Sequence, residues 1–496
     1  MNFTILAIVL HIQLSCTNDV EYSPVKKVGQ NSNPNNDNLS KSDKKDGNEA
    51  LDGQDEVDKT GENDVSSDND EAEPPEDKAD EMNEDQDTNP PAGEDPPEDD
   101  DEKEDDNEEM KDDVEIISTY FVYVAANDRI IHYELDQNNG SLTERSQFLL
   151  NNNPGNRDIS LQIAIGKNNQ FMYVGLENNE GGDKTNIIQS LSIKPDDGTL
   201  SLVASQNLDF RPVYLHVDNS GKSLIVSSYF NNKVEVFPIL ANGQISYDEA
   251  NRRELLTGEK AHSVITSPGN DFIIFPNTGD GDPEIEDPGT SRIQGADFDP
   301  VNMTISNRRN LTPLNKAGPR HIRFHPTLPI FYAVNEYADS VSWYSWDGVN
   351  KSLTLVDSIL TLPESSRDFT CADLHLSSDG RFLYASNRDN TGGVENDNKN
   401  HSIAMFSVDT TTGALSQIQG ERVATVGRPR EFVVDPLDNY LFVLGQNPYD
   451  GDIYRIQSYS IDKTTGALSS LQTYELGTSP TWIEVVTFTK EVPKAE

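Results

Sequence analysis

Cysteine is nearly absent from this chain: Cys16 and Cys371 are the only two in 496 residues. Neither a disulfide framework nor a cysteine-based metal site can be built from them, and once Cys16 is processed the fold must stand without a crosslink. Basic residues are also scarce, 39 against 86 acidic ones, for a net charge of −47. Such an acidic chain is repelled by phosphate backbones, so no nucleic-acid partner is expected. No apolar run is long enough to span a bilayer. The G-x-S-x-G elbow is missing too, which argues against a covalent acyl-enzyme on such a serine.

The charge is unevenly spread. Residues 31–115 hold 36 acidic and 7 basic side chains, a net −29, with almost no aromatic or β-branched residues. Too little apolar surface is present to offset the entropy of ordering, and like charges keep the segment extended. Residues 17–115 therefore read as a disordered acidic tether. Solvated disorder fits "EDDDEKEDDNEE" better than calcium binding does. The first sixteen residues, MNFTILAIVLHIQLSC, place a short apolar run at residues 5–10 ahead of Cys16. They resemble a bacterial lipoprotein signal with Cys16 as the lipidated residue, although no Lys or Arg precedes the apolar run and Gln13 stands where Leu is usual. That reading anchors the protein in the cell envelope through a membrane lipid; an ordinary N-terminal extension would leave it cytoplasmic.

From about residue 116 short alternating runs are separated by Gly, Asn, Asp and Pro, the pattern of many antiparallel strands. One run recurs seven times: "FVYVAAN" at Phe121, "FMYVGLE" at Phe171, "SLIVSSY" at Ser223, "FIIFPNT" at Phe272, "IFYAVNE" at Ile330, "FLYASNR" at Phe382 and "YLFVLGQ" at Tyr440. The starts lie 50, 52, 49, 58, 52 and 58 residues apart, the length of one four-stranded propeller blade. Turns such as "DDGTLS" and "TTGALS" follow, with Gly supplying the positive φ of a tight hairpin. Another strand precedes every repeat except the first, and a surplus copy, "PTWIEVV", stands at residues 480–486. An all-β, seven-bladed propeller over residues 116–490 is predicted, with the C-terminal strand completing the first blade and removing a free edge. A monomer is expected.

With strands labelled a to d from the channel outward, the start of strand a and the end of strand b share one mouth of the channel. The starts are Leu161, Val213, His262, Arg320, Ala372, Arg430 and Thr481; the ends are Asn127, Glu177, Tyr229, Thr278, Glu336, Arg388 and Gln446. His262, Arg320, Glu336, Arg388 and Arg430 all fall in blades four to seven. Five clustered ionisable groups of mixed sign point to a ligand site. His321, Arg323, His325 and His375 share these strands and read as structural, lining the shaft or pairing between blades. Long b–c loops lie on the same face and could form a rim or lid. Asp280, Asp282 and Glu284 have calcium-loop spacing, but the EF-hand pattern fails and a solvated loop is expected.

"GPRHIRFHP…YAVNE", "ADLHLSSDGRFLYASNR", "TTGALS" and "GRPREFVVDP" resemble the seven-bladed propeller lactonase family, which includes the propeller-type 6-phosphogluconolactonases and the carboxymuconate-cyclising enzymes. The resemblance covers residues 120–488. It implies that His262, Glu336, Arg320 and Arg388 carry the chemistry, with no metal or cofactor required. Opening a lactone needs an activated water and a stabilised oxyanion: His262 or Glu336 would move the proton and the arginines would supply the electrostatics. Arg430 and Glu177 are candidate substrate contacts. The substrate implied is a sugar-type or aromatic-derived lactone. The competing reading is a non-catalytic surface propeller that binds protein or glycan through its long acidic loops.

Overall fold

The computed structural model describes residues 114–150, 162–178, 185–248, 252–279, 291–313, 317–364, 369–390, 400–446 and 454–493. Every element among them is a β-strand, and the strands form seven antiparallel sheets of four. Blade one consists of Pro480–Pro493, Val114–Ala126, Arg129–Leu135 and Leu142–Leu149, in that order. The surplus C-terminal strand thus closes the ring as expected, pairing Tyr123 with Glu484 and Val124 with Ile483. Innermost strands of neighbouring blades pack on one another: Pro319–Phe324 on Phe369–Leu376, Phe369–Leu376 on Arg428–Val434, and Arg428–Val434 on the closing strand.

Burial explains the recurrent sequence. Strands b of blades three to six, Ser223–Ser228, Phe272–Asn277, Ile330–Asn335 and Phe382–Asp389, are buried at every position. Both faces of each blade are covered by its neighbours, so these strands read as continuous apolar runs and not as an alternation. The outermost strands face water, as the exposure along Ser352–Leu360 shows. One innermost strand is shorter than its sequence suggests. "HSVITSP" pairs only at Ile265–Thr266, while an isolated bridge joins Ala261 to Asn277 ahead of it.

A repeated contact locks blade to blade. Tyr123 donates its hydroxyl to the Gly198 carbonyl at 2.7 Å, Tyr332 to Gly413 at 2.8 Å and Tyr384 to Gly466 at 2.9 Å. Each tyrosine lies on a strand b, and each glycine lies in the c–d hairpin of the next blade. The glycine does more than turn the chain. Gly413 has φ +72°, and a Cβ there would sit 2.7 Å from Ile330 Cγ1. The left-handed conformation alone would cost a side chain about 1–2 kcal/mol. Gly413→Ala is therefore expected to lower the midpoint of thermal unfolding clearly, whereas Gly477→Ala, which meets nothing within 4 Å, should leave it in place; circular dichroism melts of both variants check the pair.

Candidate active site

The innermost strands of blades five, six and seven break their ladders at the same place. Pro319 pairs with Asn335 but Ile322 with Ala333; Cys371 pairs with Asn387 but Leu374 with Ala385; Pro429 pairs with Gly445 but Phe432 with Val443. Two residues thus oppose one in each blade: Arg320 and His321, Ala372 and Asp373, Arg430 and Glu431. Such a bulge suspends strict alternation and re-aims consecutive side chains. Ionisable groups that a regular strand would send to opposite faces meet here in one cluster.

Glu336 follows strand b of blade five and is fixed by its backbone N–H, which donates to the Gly318 carbonyl at 2.6 Å. Arg388 Nη2 donates to Glu336 Oε1 at 2.6 Å and to the Cys371 carbonyl at 2.8 Å. Arg320 Nε lies 3.8 Å from Glu336 Oε2. Its Nη1 donates to the Ala372 carbonyl and lies 3.2 Å from His321 Nε2 and 3.8 Å from Glu431 Oε1. His321 Nδ1 is 2.7 Å from Asp373 Oδ1. That nitrogen carries the proton donated to the carboxylate, so Nε2 accepts from Arg320. The His262 ring packs edge-on against His321 at 5.2 Å and against Tyr229 at 5.7 Å. Arg320 is 1 % exposed, while Glu336, at 18 %, opens the cluster to water.

The electrostatics follow from burial and from the arginines. Burial, reinforced by Arg320, His321, Arg430 and Arg388, holds His262 well below the ordinary histidine range, so it is neutral at pH 7. Among the described residues His262 Nδ1 is buried without a hydrogen-bond partner. Burial and Arg320 likewise push His321 down to about 3. Burial would raise Glu336, but Arg388 and Arg320 override it and hold the carboxylate ionised. Burial and the neighbouring Arg320 and Arg388 lower Arg430 to about 9, still cationic at neutral pH. Glu431 moves the other way: burial and the Asp373 carboxylate raise it well above the usual range. Asp373 stays ionised despite its burial because His375 and His321 face it. Two neighbouring acids with opposite shifts mean that Glu431 keeps its proton and Asp373 does not.

The structure therefore brings together His262, Arg320, Glu336, Arg388 and Arg430 in one cluster. Of the side chains expected to be structural, His325 is one: its Nδ1 accepts the Thr327 and Leu328 N–H groups. Arg323 donates to Tyr214 Oη at 2.9 Å, and His375 Nε2 lies 3.1 Å from Asp373 Oδ2. His321 does pair between blades, through Asp373, yet it also touches Arg320 and His262. Asp373 and Glu431 did not stand out in the sequence, because each sits one residue past the expected strand start. The mark that could have found them is the acid directly after Ala372 and after Arg430. Glu177 is buried and pairs with Arg211 Nε at 2.8 Å. Leu161, Asp280, Asp282, Glu284, Cys16, the acidic segment and most of the long b–c loops lie outside the described residues.

His321, Asp373 and Glu431 offer donor atoms within 4.8 Å of one another, a set that suits a cation. Arg320 already brings a cation there, within 3.2 Å of His321 and 3.8 Å of Glu431. The residues present fit this guanidinium better than a metal ion: His321 Nε2 lies 3.2 Å from Arg320 and Nδ1 lies 2.7 Å from Asp373.

The chain matches the family model described as Lactonase, 7-bladed beta-propeller, over residues 122–485. It is 29 % identical over 327 residues to the 6-phosphogluconolactonase of Yersinia pestis, covering 65 % of this chain and 86 % of that protein. A 6-phosphogluconolactonase of Pectobacterium carotovorum is 28 % identical over 326 residues, with 65 % and 87 % covered. In structure it resembles the periplasmic gluconolactonase of Pseudomonas aeruginosa, with a TM-score of 0.59 and 23 % identity over 74 % of this chain and 99 % of that one. At that identity the likeness shows the fold.

The protonated state of Glu431 has a consequence for stability. A carboxyl whose folded pKa lies above its unfolded value stabilises the fold at low pH, and that contribution fades as pH rises from about 4.5 towards the folded pKa, by about 1.4 kcal/mol per pH unit. Glu431→Gln copies the neutral acid and cannot ionise. Urea unfolding between pH 4 and 8 should show the variant gaining on the wild type as pH rises; a constant difference would mean that Glu431 is ionised in the fold.

Proposed function

The chain belongs to the seven-bladed β-propeller lactonases, and from this we propose that it hydrolyses a ring lactone at the channel mouth built by blades four to seven. One observation carries the reading. Three guanidiniums, Arg320, Arg388 and Arg430, converge where, among the described residues, Glu336 is the one ionised carboxylate in direct contact with them, while Glu431 is neutral and His262 and His321 are uncharged. The surplus positive charge is complementary to an oxyanion and to an acidic substituent on the substrate. A unit charge 4 Å from one uncompensated guanidinium gains about 4 kcal/mol at a surface-like dielectric, the scale of an oxyanion-hole donor.

In this mechanism water attacks the lactone carbonyl carbon while the neutral His262 imidazole takes its proton at a ring nitrogen. The carbonyl oxygen becomes the oxyanion, held by Arg388 and Arg320. The ring C–O bond then breaks as the tetrahedral intermediate collapses, and the proton passes from the imidazolium to the departing alkoxide. The product is the open hydroxy acid. Glu336 holds Arg388 and Arg320 in place and offers a second proton acceptor. Arg430 takes an acidic substituent, and Glu177 acts through Arg211 at the rim. His262 suits the base role better than Glu336, because two guanidiniums already engage that carboxylate.

The N-terminal pattern supports export and lipid attachment at Cys16, which places the propeller at the cell envelope on an acidic tether. A lactone without a phosphate is then the expected substrate, in contrast to that in the names of the curated relatives. In cells labelled with a fatty acid, Cys16→Ala should abolish incorporation into the protein; label retained by the variant removes the anchor.

A panel of glucono-1,5-lactone, its 6-phosphate and substituted γ-lactones tests the activity. His262→Ala is expected to lower kcat/KM by about 10²–10⁴ and Arg388→Gln by about 10²–10³, with unchanged circular dichroism. Because His262 must be neutral and its proton affinity is depressed, the rate should stay flat from pH 7 to below 6.5 and fall only at lower pH. An acid limb centred at or above 6.5 would exclude His262 as the base.

A further inference from the structure

The blade-three side of the mouth is aromatic, and the core does not require it to be. Phe230, in the turn after Ser223–Ser228, is 58 % exposed. It is nevertheless held in place. The Arg211 guanidinium covers its ring at 4.2 Å, and Arg211 Nε pairs with buried Glu177 at 2.8 Å. Tyr229 meets Phe230 edge-on at 5.1 Å and meets His262 at 5.7 Å. The Asn231 side-chain oxygen accepts the Arg211 N–H at 3.2 Å, tying this turn to the start of the innermost strand. A continuous series, Glu177, Arg211, Phe230, Tyr229 and His262, thus runs along the rim from blade two to blade four and ends on the imidazole.

We infer that Tyr229 and Phe230 form a wall that takes the apolar face of the lactone ring and so determines which ring substrates bind. This rests on the lactonase reading above. His262 stands between the two halves: through His321 it adjoins the arginines, which hold the polar end of the substrate, and through Tyr229 it adjoins the wall. Aromatic lining with a few convergent polar groups is how small-molecule pockets fix orientation. The C–H face of a sugar-type lactone and the π face of an unsaturated γ-lactone both complement a phenyl ring. Glu177 and Arg211 are positioning residues that keep an exposed ring from turning away.

The test is steady-state kinetics of the full-length protein with glucono-1,5-lactone and with a carboxymethyl-substituted unsaturated γ-lactone. Phe230→Ala should raise KM roughly two- to tenfold for the lactone that uses the wall, with kcat falling less than KM rises, as loss of one ring contact predicts. Phe230→Trp should reverse the change, and Arg211→Gln should reproduce part of it. A rise confined to glucono-1,5-lactone assigns the wall to sugar-type rings, and one confined to the γ-lactone assigns it to aromatic-derived rings. Unchanged KM for both, in variants of a wild type that turns them over, overturns the wall and leaves the lactonase reading standing. A wild type that opens neither these nor any other lactone defeats the lactonase reading and the wall with it.

Discussion

The pairing of Val114–Ala126 with Pro480–Pro493 is the constraint from which the architecture follows. It joins strands from opposite ends of the domain and gives the first blade the innermost strand that the chain order denies it. With this ladder formed every blade has its four strands, and each sheet is covered on both faces by its neighbours. The buried second strands, the tyrosine-to-glycine bonds across three of the gaps and the convergence of the innermost strands all presuppose that closed ring. The site depends on it as well. Its groups come from positions between Glu177 and Glu431, and without closure Arg320 of blade five would have no fixed relation to Glu431 of blade seven.

Closure brings the strands together, and the bulges decide what they present. In blades five, six and seven the same departure from the ladder sets a pair of consecutive residues against one: Arg320 with His321, Ala372 with Asp373, Arg430 with Glu431. Three regular strands would offer one such residue each, and these offer two each, five of the six being ionisable. The additional groups make the cluster self-supporting. Asp373 fixes the tautomer of His321, His321 accepts from Arg320, and neutral Glu431 fills the space beside Arg320 without cancelling its charge. The arginines keep their excess charge for a ligand because a proton on Glu431 prevents neutralisation from below.

Much of this was legible in the sequence. The seven recurrences around "FVYVAAN" and "FLYASNR" stand out because packing from both sides demands apolar residues at every position of that strand. The orphaned "PTWIEVV" announced the closing strand, and the register grouped Arg320, Glu336, Arg388, Arg430 and His262 before any coordinate was known. What escaped were the groups whose direction depends on backbone irregularity. Asp373 and Glu431 sit one position beyond the strand start, and strict two-residue alternation sends them to the wrong face. His321 was visible but undervalued for the same reason. Phe230 escaped differently: an exposed aromatic in a turn looks incidental until Arg211 is seen lying over it.

The closing ladder also has a mechanical side. Tyr120 is the first residue of its strand to pair with blade one's next strand, at Leu135, whereas the partners of Val114–Thr119 lie on the C-terminal strand alone, from Pro493 to Phe488. The two ends of the domain therefore leave as a twin-stranded ribbon before they part. Traction reaching Val114 along the chain would draw one strand lengthwise past the other, loading many hydrogen bonds at once instead of peeling them singly. A propeller moored by its leading end would thus transmit tension into its most extensively paired seam, and the distant arginine cluster would be spared the strain.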